Sequence, residues 1–320
     1  MSGSEFVWKR PAARAQLLLI CLVAGAVALT GLLVAGGRAS GEPGAPLALQ
    51  PNHPVKVTYG KSAGHGHGSG GGSTCGAGST SLGWASSNWS GYAETCSAPY
   101  TGVGGSWVVP QVSSPAGSYS ATWIGIDGFN NSDLIQTGTE QDVSSGGTPA
   151  YAAWWTTSSN NFVEQPITGG CTPAGSACGT VQAGDQITAS ISQASQGSSQ
   201  WTITISDGST WSFTKTLTYT GPGASAEWIV EAPTVGGRVA TLADYASPLT
   251  FNPDSIAAGT ISGSASPALT YSDGGELVTG HGRFQSVASI PSGPDVEQSG
   301  TPPDGFAISH GSVAPNAPSS

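Results

Sequence analysis

The chain has few charged residues, with 9 Lys plus Arg and 19 Asp plus Glu among 320 residues. A protein that binds nucleic acid needs a cationic surface, and a formal net charge of −10 leaves too few cations to form one. Coiled coils and helical bundles with many surface ion pairs are also disfavoured, because only 9% of the residues are charged. The apolar share of 38% still suffices for one core of about 200 residues.

Several hydrolytic motifs are missing. The sequence has no H-E-x-x-H zinc motif, no G-x-S-x-G nucleophile turn inside the predicted domain, and neither Asp-Thr-Gly nor Asp-Ser-Gly. For a Ser-His-Asp triad only His281 is available inside the predicted domain, and it lies in a Gly-His-Gly turn. The C-x-x-C spacing of zinc sites is absent too, so we expect no metal and no cofactor. The remaining candidate chemistry is that of carboxylates and carboxamides.

Residues 1–40 have the pattern of a targeting segment. Basic residues up to Arg14 precede an uncharged, largely apolar run, Ala15–Gly37, which is long enough to cross a bilayer. The segment is predicted to be a signal peptide or a signal anchor, and small residues such as Ala39 favour cleavage. We therefore expect a secreted, extracellular protein that contacts a membrane only if this segment is retained.

Composition divides the rest of the chain. Residues 41–79 are rich in Pro, Gly, Ser and His and are predicted to form a pro-segment and Gly-rich linker. Within it, Val55–Lys61 could cover an acidic cleft and hold the enzyme as a zymogen. Residues 80–290 are predicted to form one folded domain, and residues 291–320 a disordered Pro-, Ser- and Gly-rich tail. A monomer is expected.

Inside the domain, the apolar residues repeat with a period of two rather than 3.6. No segment has the pattern of a long amphipathic helix. The prediction is an all-β fold, an antiparallel β-sandwich of jelly-roll or concanavalin-like type with two packed sheets. The predicted strands are Ser106–Pro110, Ser120–Asp127, Leu134–Glu140, Tyr151–Thr157, Gln186–Ser192, Gln200–Ser206, Trp211–Thr220, Ala226–Ala232 and Leu242–Phe251.

Two predicted strands contain polar residues among apolar ones. In Ala226–Ala232, the alternation of side chains puts Glu227 and Glu231 on one face, about 13 Å apart along the strand. A solvent-facing edge with two acids is the alternative interpretation. Gln136 offers two donors and one acceptor at any pH, so it could hold an oxyanion, although a surface glutamine fits the pattern as well. Trp123 and Asp127 lie together on one face of their strand. This pattern fits the wall of a cleft and fits core packing equally well.

Five sequence blocks together resemble those of the glutamic peptidases, the eqolisin family, in order and spacing. The resemblance covers about Ser86 to Phe251, roughly half the chain, and the long leader and Gly-rich linker suggest a bacterial-type member. The blocks are Asn88-Trp89-Ser90-Gly91, Trp123-Ile124-Gly125-Ile126-Asp127-Gly128, Leu134-Ile135-Gln136-Thr137-Gly138, Ala153-Trp154-Trp155 and Ala226-Glu227-Trp228-Ile229-Val230-Glu231.

The resemblance implies a secreted acid endopeptidase whose catalytic groups are Gln136 and Glu231. It is the resemblance, not the periodicity, that selects Glu231 over Glu227. It also implies substrate-binding roles, which fall on Trp89, Trp123, Asp127 and Trp154. The chain departs from the family pattern after Trp155 and after Glu231, where further acids are usual, so the resemblance does not extend to substrate preference.

Four cysteines lie outside the leader, which in an exported chain predicts two disulfides. The simplest pairing is Cys75 with Cys96 and Cys171 with Cys178, and three pairings are open.

Two other functions fit parts of the pattern. A carbohydrate-binding sandwich would stack sugars on Trp89 or Trp154. A glycosidase would need a second acid, such as Glu140 or Asp127, about 5 to 9 Å from Glu227 or Glu231.

Overall fold

The computed structural model describes residues 82–94, 99–129, 131–246, 248–258, 273–278, 284–288 and 305–316. The predicted leader, the whole predicted pro-segment and linker, and the predicted Cys75–Cys96 disulfide lie outside these residues. The predicted Cys171–Cys178 disulfide is confirmed, with a Cα–Cα distance of 5.4 Å. Within the described ranges, no helix is long and apolar enough to cross a membrane.

The described residues form strands and one turn of 3-10 helix, Ser158–Asn160. The strands are β1 (Leu82–Ser86), β2 (Trp89–Glu94), β3 (Tyr100–Val108), β4 (Val112–Ser114), β5 (Ser118–Ile126), β6 (Ile135–Val143), β7 (Pro149–Thr157), β8 (Gln165–Pro166), β9 (Cys171–Thr172), β10 (Gln186–Gln193), β11 (Gln200–Asp207), β12 (Trp211–Thr218), β13 (Ala226–Glu231), β14 (Thr234–Val235), β15 (Arg238–Val239), β16 (Asp244–Tyr245), β17 (Leu249–Ala258), β18 (Asp273–Val278), β19 (Phe284–Ala288) and β20 (Phe306–His310).

The strands form one large sheet that folds over on itself into two layers, so the predicted all-β sandwich is confirmed. Its order is β8-β7-β6-β5-β13-β2-β18-β19-β20-β17-β3-β10-β11-β12-β9. All neighbours on this path are antiparallel, and β1 pairs in parallel with β18. Strands β5, β6 and β13 of one layer pack against β3, β10 and β11 of the other. Two short ribbons, β14-β15 and β4-β16, lie outside the main sheet.

Polar bonds join the two layers through an otherwise apolar interior. Trp228 on β13 donates from Nε1 to the carbonyl oxygen of Gly104 on β3, at 2.9 Å. Trp107 on β3 donates from Nε1 to Thr139 Oγ1 on β6, at 3.1 Å. Both indoles are buried, so these bonds satisfy N–H groups that would otherwise cost free energy in the core.

The two layers differ in how their outer faces are buried. On β10, exposed and buried residues alternate, as expected of a sheet with one face in solvent. On β13, by contrast, all six residues are buried, and on β5 and β6 all but one residue each. This layer is therefore covered on both faces, and its polar side chains must be satisfied by protein groups or by a ligand.

Each of the nine predicted strands overlaps an observed strand. One predicted strand is divided into two, and the prediction for the C-terminal tail is corrected. The segment predicted as a single strand from Leu242 to Phe251 forms β16 and the beginning of β17. The predicted disordered tail is wrong for Phe306–His310, because this segment forms β20 and pairs with β17 and β19. Average composition obscured the segment, since its short apolar stretch is surrounded by Pro, Ser and Gly.

Phe306 anchors this C-terminal strand in the core. Its ring is fully buried, stacks on Phe251 at a centroid distance of 5.3 Å and meets Tyr92 edge-on at 4.6 Å. We predict that Phe306→Ala lowers the free energy of unfolding by about 3 to 5 kcal/mol, because it leaves a cavity among these rings. Urea unfolding of the full chain measures this. Val313→Ala, at a residue that is 76% exposed, is the control, and equal stability of the two variants would contradict the prediction.

Candidate active site

Five neighbouring strands, β7, β6, β5, β13 and β2, share one face that points away from the sandwich interior. Its buried aromatic residues are Trp89, Trp123 and Trp154, which pack with Leu134 and Ile229 into a cluster separate from the main core. We call it the tryptophan face. Strand register places its polar residues in rows that run across the sheet, because residues directly opposite each other in paired strands share a face.

The first row contains Gln136 on β6, Gly125 on β5 and Glu227 on β13. Gln136 and Glu227 are both fully buried. Gly125 between them leaves space that a side chain would fill. A Cβ there would lie 2.8 Å from Trp123 Cζ3 and 3.3 Å from Glu227 Oε2. The Glu227 carboxyl group therefore lies over Gly125.

The second row contains Gly138 on β6, Trp123 on β5 and Ile229 on β13. Trp123 is at the centre of the face and meets Trp89 edge-on, with ring centroids 4.8 Å apart. A Cβ on Gly138 would lie 2.5 Å from Trp123 Cβ and 2.2 Å from the Thr122 carbonyl oxygen. Only glycine allows β6 to approach Trp123 this closely.

The third row contains Glu140 on β6, Ala121 on β5 and Glu231 on β13. Glu231 is 1% exposed and bonded to two neutral donors. Trp123 Nε1 donates to its Oε2 at 2.9 Å, and Asn88 Nδ2 donates to its Oε1 at 3.4 Å. Neutral donors of this kind favour the ionised form of a carboxyl group.

The structure therefore brings Gln136 and Glu231 to the same face, but not into the same row. They are separated by two strand spacings, about 10 Å, and by four residues along the strand, about 13 Å. The predicted substrate-binding residues Trp89, Trp123 and Trp154 lie on this face as well. The other polar side chain in the row of Gln136 is that of Glu227, two strands away beyond Gly125, to which the family resemblance gave no role.

More than half of the buried side-chain nitrogen and oxygen atoms that lack a hydrogen-bond partner within the described residues belong to this face. They include both polar atoms of Gln136, both carboxyl oxygens of Glu227 and the Nε1 atoms of Trp89 and Trp154. Such atoms are rare in folded proteins and call for an explanation. A face with this many unused donors and acceptors is suited to bind a polar backbone such as a peptide.

Asp127, another predicted substrate-binding residue, has a different position. Its carboxylate accepts four hydrogen bonds, from the Tyr219 hydroxyl at 2.7 Å, the Gly223 and Ala224 N–H groups at 2.9 and 2.6 Å, and Asn131 Nδ2 at 2.9 Å. These bonds occupy the acceptor capacity of a carboxylate. Asp127 therefore fixes the segment before β13, and no acceptor is left for a substrate.

Two acids on β6 form a carboxyl pair at the edge of the face. Glu140 and Asp142 lie two residues apart on one side of the strand, which makes them neighbours. Burial raises the pKa of both groups, and the charge of Glu140 raises the pKa of Asp142 further. The acidic spacing Glu-Gln-Asp in a predicted strand was the available sequence signal for this pair, which the motif analysis did not use.

Positive charge is almost absent from the part of the chain that the structure describes. Its Lys and Arg residues are Lys215 on β12, whose Nζ lies 5.5 Å from the Trp155 ring centroid, and Arg238 on β15. No group of three or more His, Cys, Asp or Glu residues that could hold a metal is present among the described residues. The carboxyl groups of the tryptophan face must therefore be stabilised by neutral donors or by protonation.

A family model described as the peptidase A4 family matches residues 87–272, more than half of the chain. The matched range contains every residue of the three rows. The chain belongs to the peptidase A4 family. This confirms the predicted relationship to the eqolisins, and the protein is a glutamic endopeptidase.

The solved structure of one glutamic peptidase supports the fold of this peptidase. Scytalido-glutamic peptidase with a transition-state analogue inhibitor matches with a TM-score of 0.51 and 20% identity, over 70% of this chain and 98% of that one. SCP-B, an eqolisin solved with the tripeptide Ala-Ile-His, matches with a TM-score of 0.47 and 18% identity over the same shares. No curated protein matches the chain.

The carboxyl pair makes the stability of the peptidase depend on pH. Because the pKa values of Glu140 and Asp142 are raised in the folded chain, the unfolded chain loses these protons at lower pH. Their contribution is therefore complete in acid and is lost as the pH rises above the ordinary carboxyl range. We predict that Asp142→Asn increases the free energy of unfolding at pH 7 by about 1 to 2 kcal/mol relative to wild type, and that the gain vanishes at about pH 4.

Urea unfolding of the full chain at the two pH values measures this difference. Asp185→Asn, a similar change before β10 in the other layer, is the control. A gain from Asp142→Asn that is equal at both pH values would show that the pair does not titrate as described.

Proposed function

We propose that the protein is an exported endopeptidase that hydrolyses peptide bonds of proteins in acid, with Gln136 and Glu231 as its catalytic groups. Family membership supports the reaction class. The observation that carries the assignment of residues is the shared face: Gln136 and Glu231 lie on either side of Trp123, and Trp123 donates a hydrogen bond to Glu231. The basic and apolar pattern of the first forty residues supports export.

The proposed reaction is direct attack of water on the scissile carbonyl carbon. The Glu231 carboxylate takes a proton from the water as the carbon–oxygen bond forms. Gln136 donates from Nε2 to the oxyanion that develops on the carbonyl oxygen. Glu231 then returns the proton to the leaving nitrogen as the carbon–nitrogen bond breaks. In this proposal the water and the scissile carbonyl group bind beside Trp123, between the side chains of Gln136 and Glu231.

Acid conditions suit this arrangement for two reasons. The tryptophan face contains several carboxyl groups with raised pKa and no described cation, so it is more stable when these groups are protonated. Counting from Cys75, only Lys215, Arg238 and Arg283 are basic. Once carboxyl groups are neutralised in acid, few positive charges are left to repel each other.

Substitution of the two groups tests the proposal. Wild type is expected to digest casein at about pH 4, in the presence of a pepstatin-type inhibitor. Gln136→Ala and Glu231→Gln should each lower kcat by at least about 1,000-fold, because each removes a group that acts in the transition state. The matched controls Gln200→Ala and Asp185→Asn, in the other layer, should remain within about two-fold of wild type. Casein digestion by either catalytic variant at the wild-type rate would refute the assignment.

We further propose that the full chain is a zymogen. Gln136 and Glu231 are 0% and 1% exposed in the full chain, so a substrate reaches them only after part of the chain moves or is removed. Purified full chain transferred from pH 7 to pH 4 should digest casein after a lag, and mass spectrometry should show loss of residues before the domain during that lag. Full activity without a lag and without processing would contradict this proposal.

A further inference from the structure

The Gln136 amide needs a partner that fixes its orientation. The two ends of a side-chain amide differ in chemistry, since the nitrogen only donates and the oxygen only accepts. Rotation by half a turn about the last side-chain torsion exchanges them, and this torsion is intrinsically broad. In the proposed reaction Nε2 must face the substrate. Both polar atoms of Gln136 are buried and have no hydrogen-bond partner within the described residues.

Glu227 is the polar side chain placed to act on this amide. It occupies the same row as Gln136 on the same face, and only Gly125 lies between them. Its Oε2 atom lies 3.3 Å from the position that a Gly125 Cβ would take, so the carboxyl group extends from β13 towards β6. Neither of its oxygens makes a hydrogen bond within the described residues.

We infer that Glu227 is a positioning residue: the two side chains are not hydrogen-bonded in the structure, and in the active enzyme the Glu227 carboxyl group pairs with the Gln136 amide across Gly125 and directs Nε2 towards the substrate. This inference rests on the proposed function, because it assigns Gln136 the task of donating to the oxyanion. Glu227 touches neither the water nor the scissile bond in this scheme. It acts through Gln136 alone.

A protonated carboxyl group is the complement that this orientation needs. Its O–H group donates to Gln136 Oε1, which leaves Nε2 free for the oxyanion. An ionised carboxylate has no donor and would attract Nε2 instead, which would turn the amide away from the substrate. The residue is therefore effective only while it is neutral.

The surroundings keep Glu227 neutral over a wide pH range. Trp123 and Leu134 provide the apolar contacts above Gly125. Burial raises the pKa of Glu227 well above its usual value, and the negative charge of Asp127 raises it further. The nearby Ser225 hydroxyl lowers the pKa of Glu227 and so offsets part of this rise. Its position relative to the carboxyl group is not that of an ordinary hydrogen bond.

The other titratable groups around Glu227 are acids or a phenol rather than cations. On the tryptophan face they are Glu231 on β13 itself and Glu140 and Asp142 on β6, and Tyr219 lies beyond Asp127. At the level of backbone register, Asp273 of β18 continues the first row beyond Ala93 of β2. None of these groups would help Glu227 to ionise.

Two substitutions separate positioning from packing. In Glu227→Gln a neutral amide replaces the carboxyl group and can still donate to Gln136 Oε1. In Glu227→Leu the volume is similar but the donor is lost. With full chain activated at about pH 4, we expect Glu227→Leu to lower kcat on a peptide substrate by about 100-fold or more with KM changed less than about three-fold. Glu227→Gln should lose less than about ten-fold.

The pH profile provides a second readout. Wild-type kcat should fall towards high pH as Glu227 ionises. Glu227→Gln cannot ionise at this position, so its activity should extend to higher pH than that of wild type. Asp185→Asn should retain the wild-type profile. Equal losses in Glu227→Gln and Glu227→Leu, or wild-type kcat in Glu227→Leu, would overturn the inference.

Infrared difference spectroscopy tests the contact without relying on activity. Wild type minus Glu227→Gln at pH 6 should show the carbonyl stretch of a protonated carboxyl group. In a Gln136→Leu background the same difference band should shift, because the hydrogen bond is lost. Absence of the band, or a band that Gln136→Leu does not move, would refute the inference even if the peptidase proposal stands. Conversely, if the wild type fails to digest casein but shows both the carbonyl band and its shift in the Gln136→Leu background, only the proposed function is refuted.

Discussion

Strand β13 has no solvent face. It is hydrogen-bonded to β5 on one side and to β2 on the other, and all six of its residues are buried. Its alternation therefore decides where every side chain can go. Trp228 and Val230 fill the sandwich interior, so Glu227 and Glu231 are both directed to the opposite, tryptophan face. Two buried carboxyl groups on one strand require compensation, and neighbouring residues donate hydrogen bonds to Glu231, whereas neither oxygen of Glu227 has a hydrogen-bond partner among the described residues.

The compensation comes from neutral groups rather than from cations. Glu231 is bonded to the indole of Trp123 and the amide of Asn88, whereas Glu140 and Asp142 form a carboxyl pair. A buried cation would have paired with these acids at neutral pH. The described residues provide no such cation, so protonation lowers the cost of burying these acids and acid conditions favour the folded state. The low content of Lys and Arg, which argues against nucleic-acid binding, thus also makes the folded state more stable in acid, where the protein is proposed to act.

Sequence patterns predicted the faces of the strands well, because alternation is a local property of each strand. They missed β2 and the first half of β3, where glycines such as Gly91 and Gly104 weaken the strand signal. They also missed β20, which is short and surrounded by residues typical of disorder. Pairing between distant strands is not written in local periodicity, so the rows of the site could not be derived before the fold was known. Three of the four hydrogen bonds that occupy Asp127 likewise depend on a segment more than ninety residues away.

The relationship of Glu227 to Glu231 illustrates how register and motif supply different information. The family motif selects Glu231, while register places Glu227 in the same row as Gln136, beyond Gly125. These statements are compatible because the two acids have different surroundings. Glu231 accepts hydrogen bonds that suit an ionised base, and Glu227 lies over a glycine beside apolar groups that suit a neutral donor. Ile229 separates them on the same face, so they do not share one proton. In the proposed scheme, β13 thus presents a base and a neutral acid on the same face, in different surroundings.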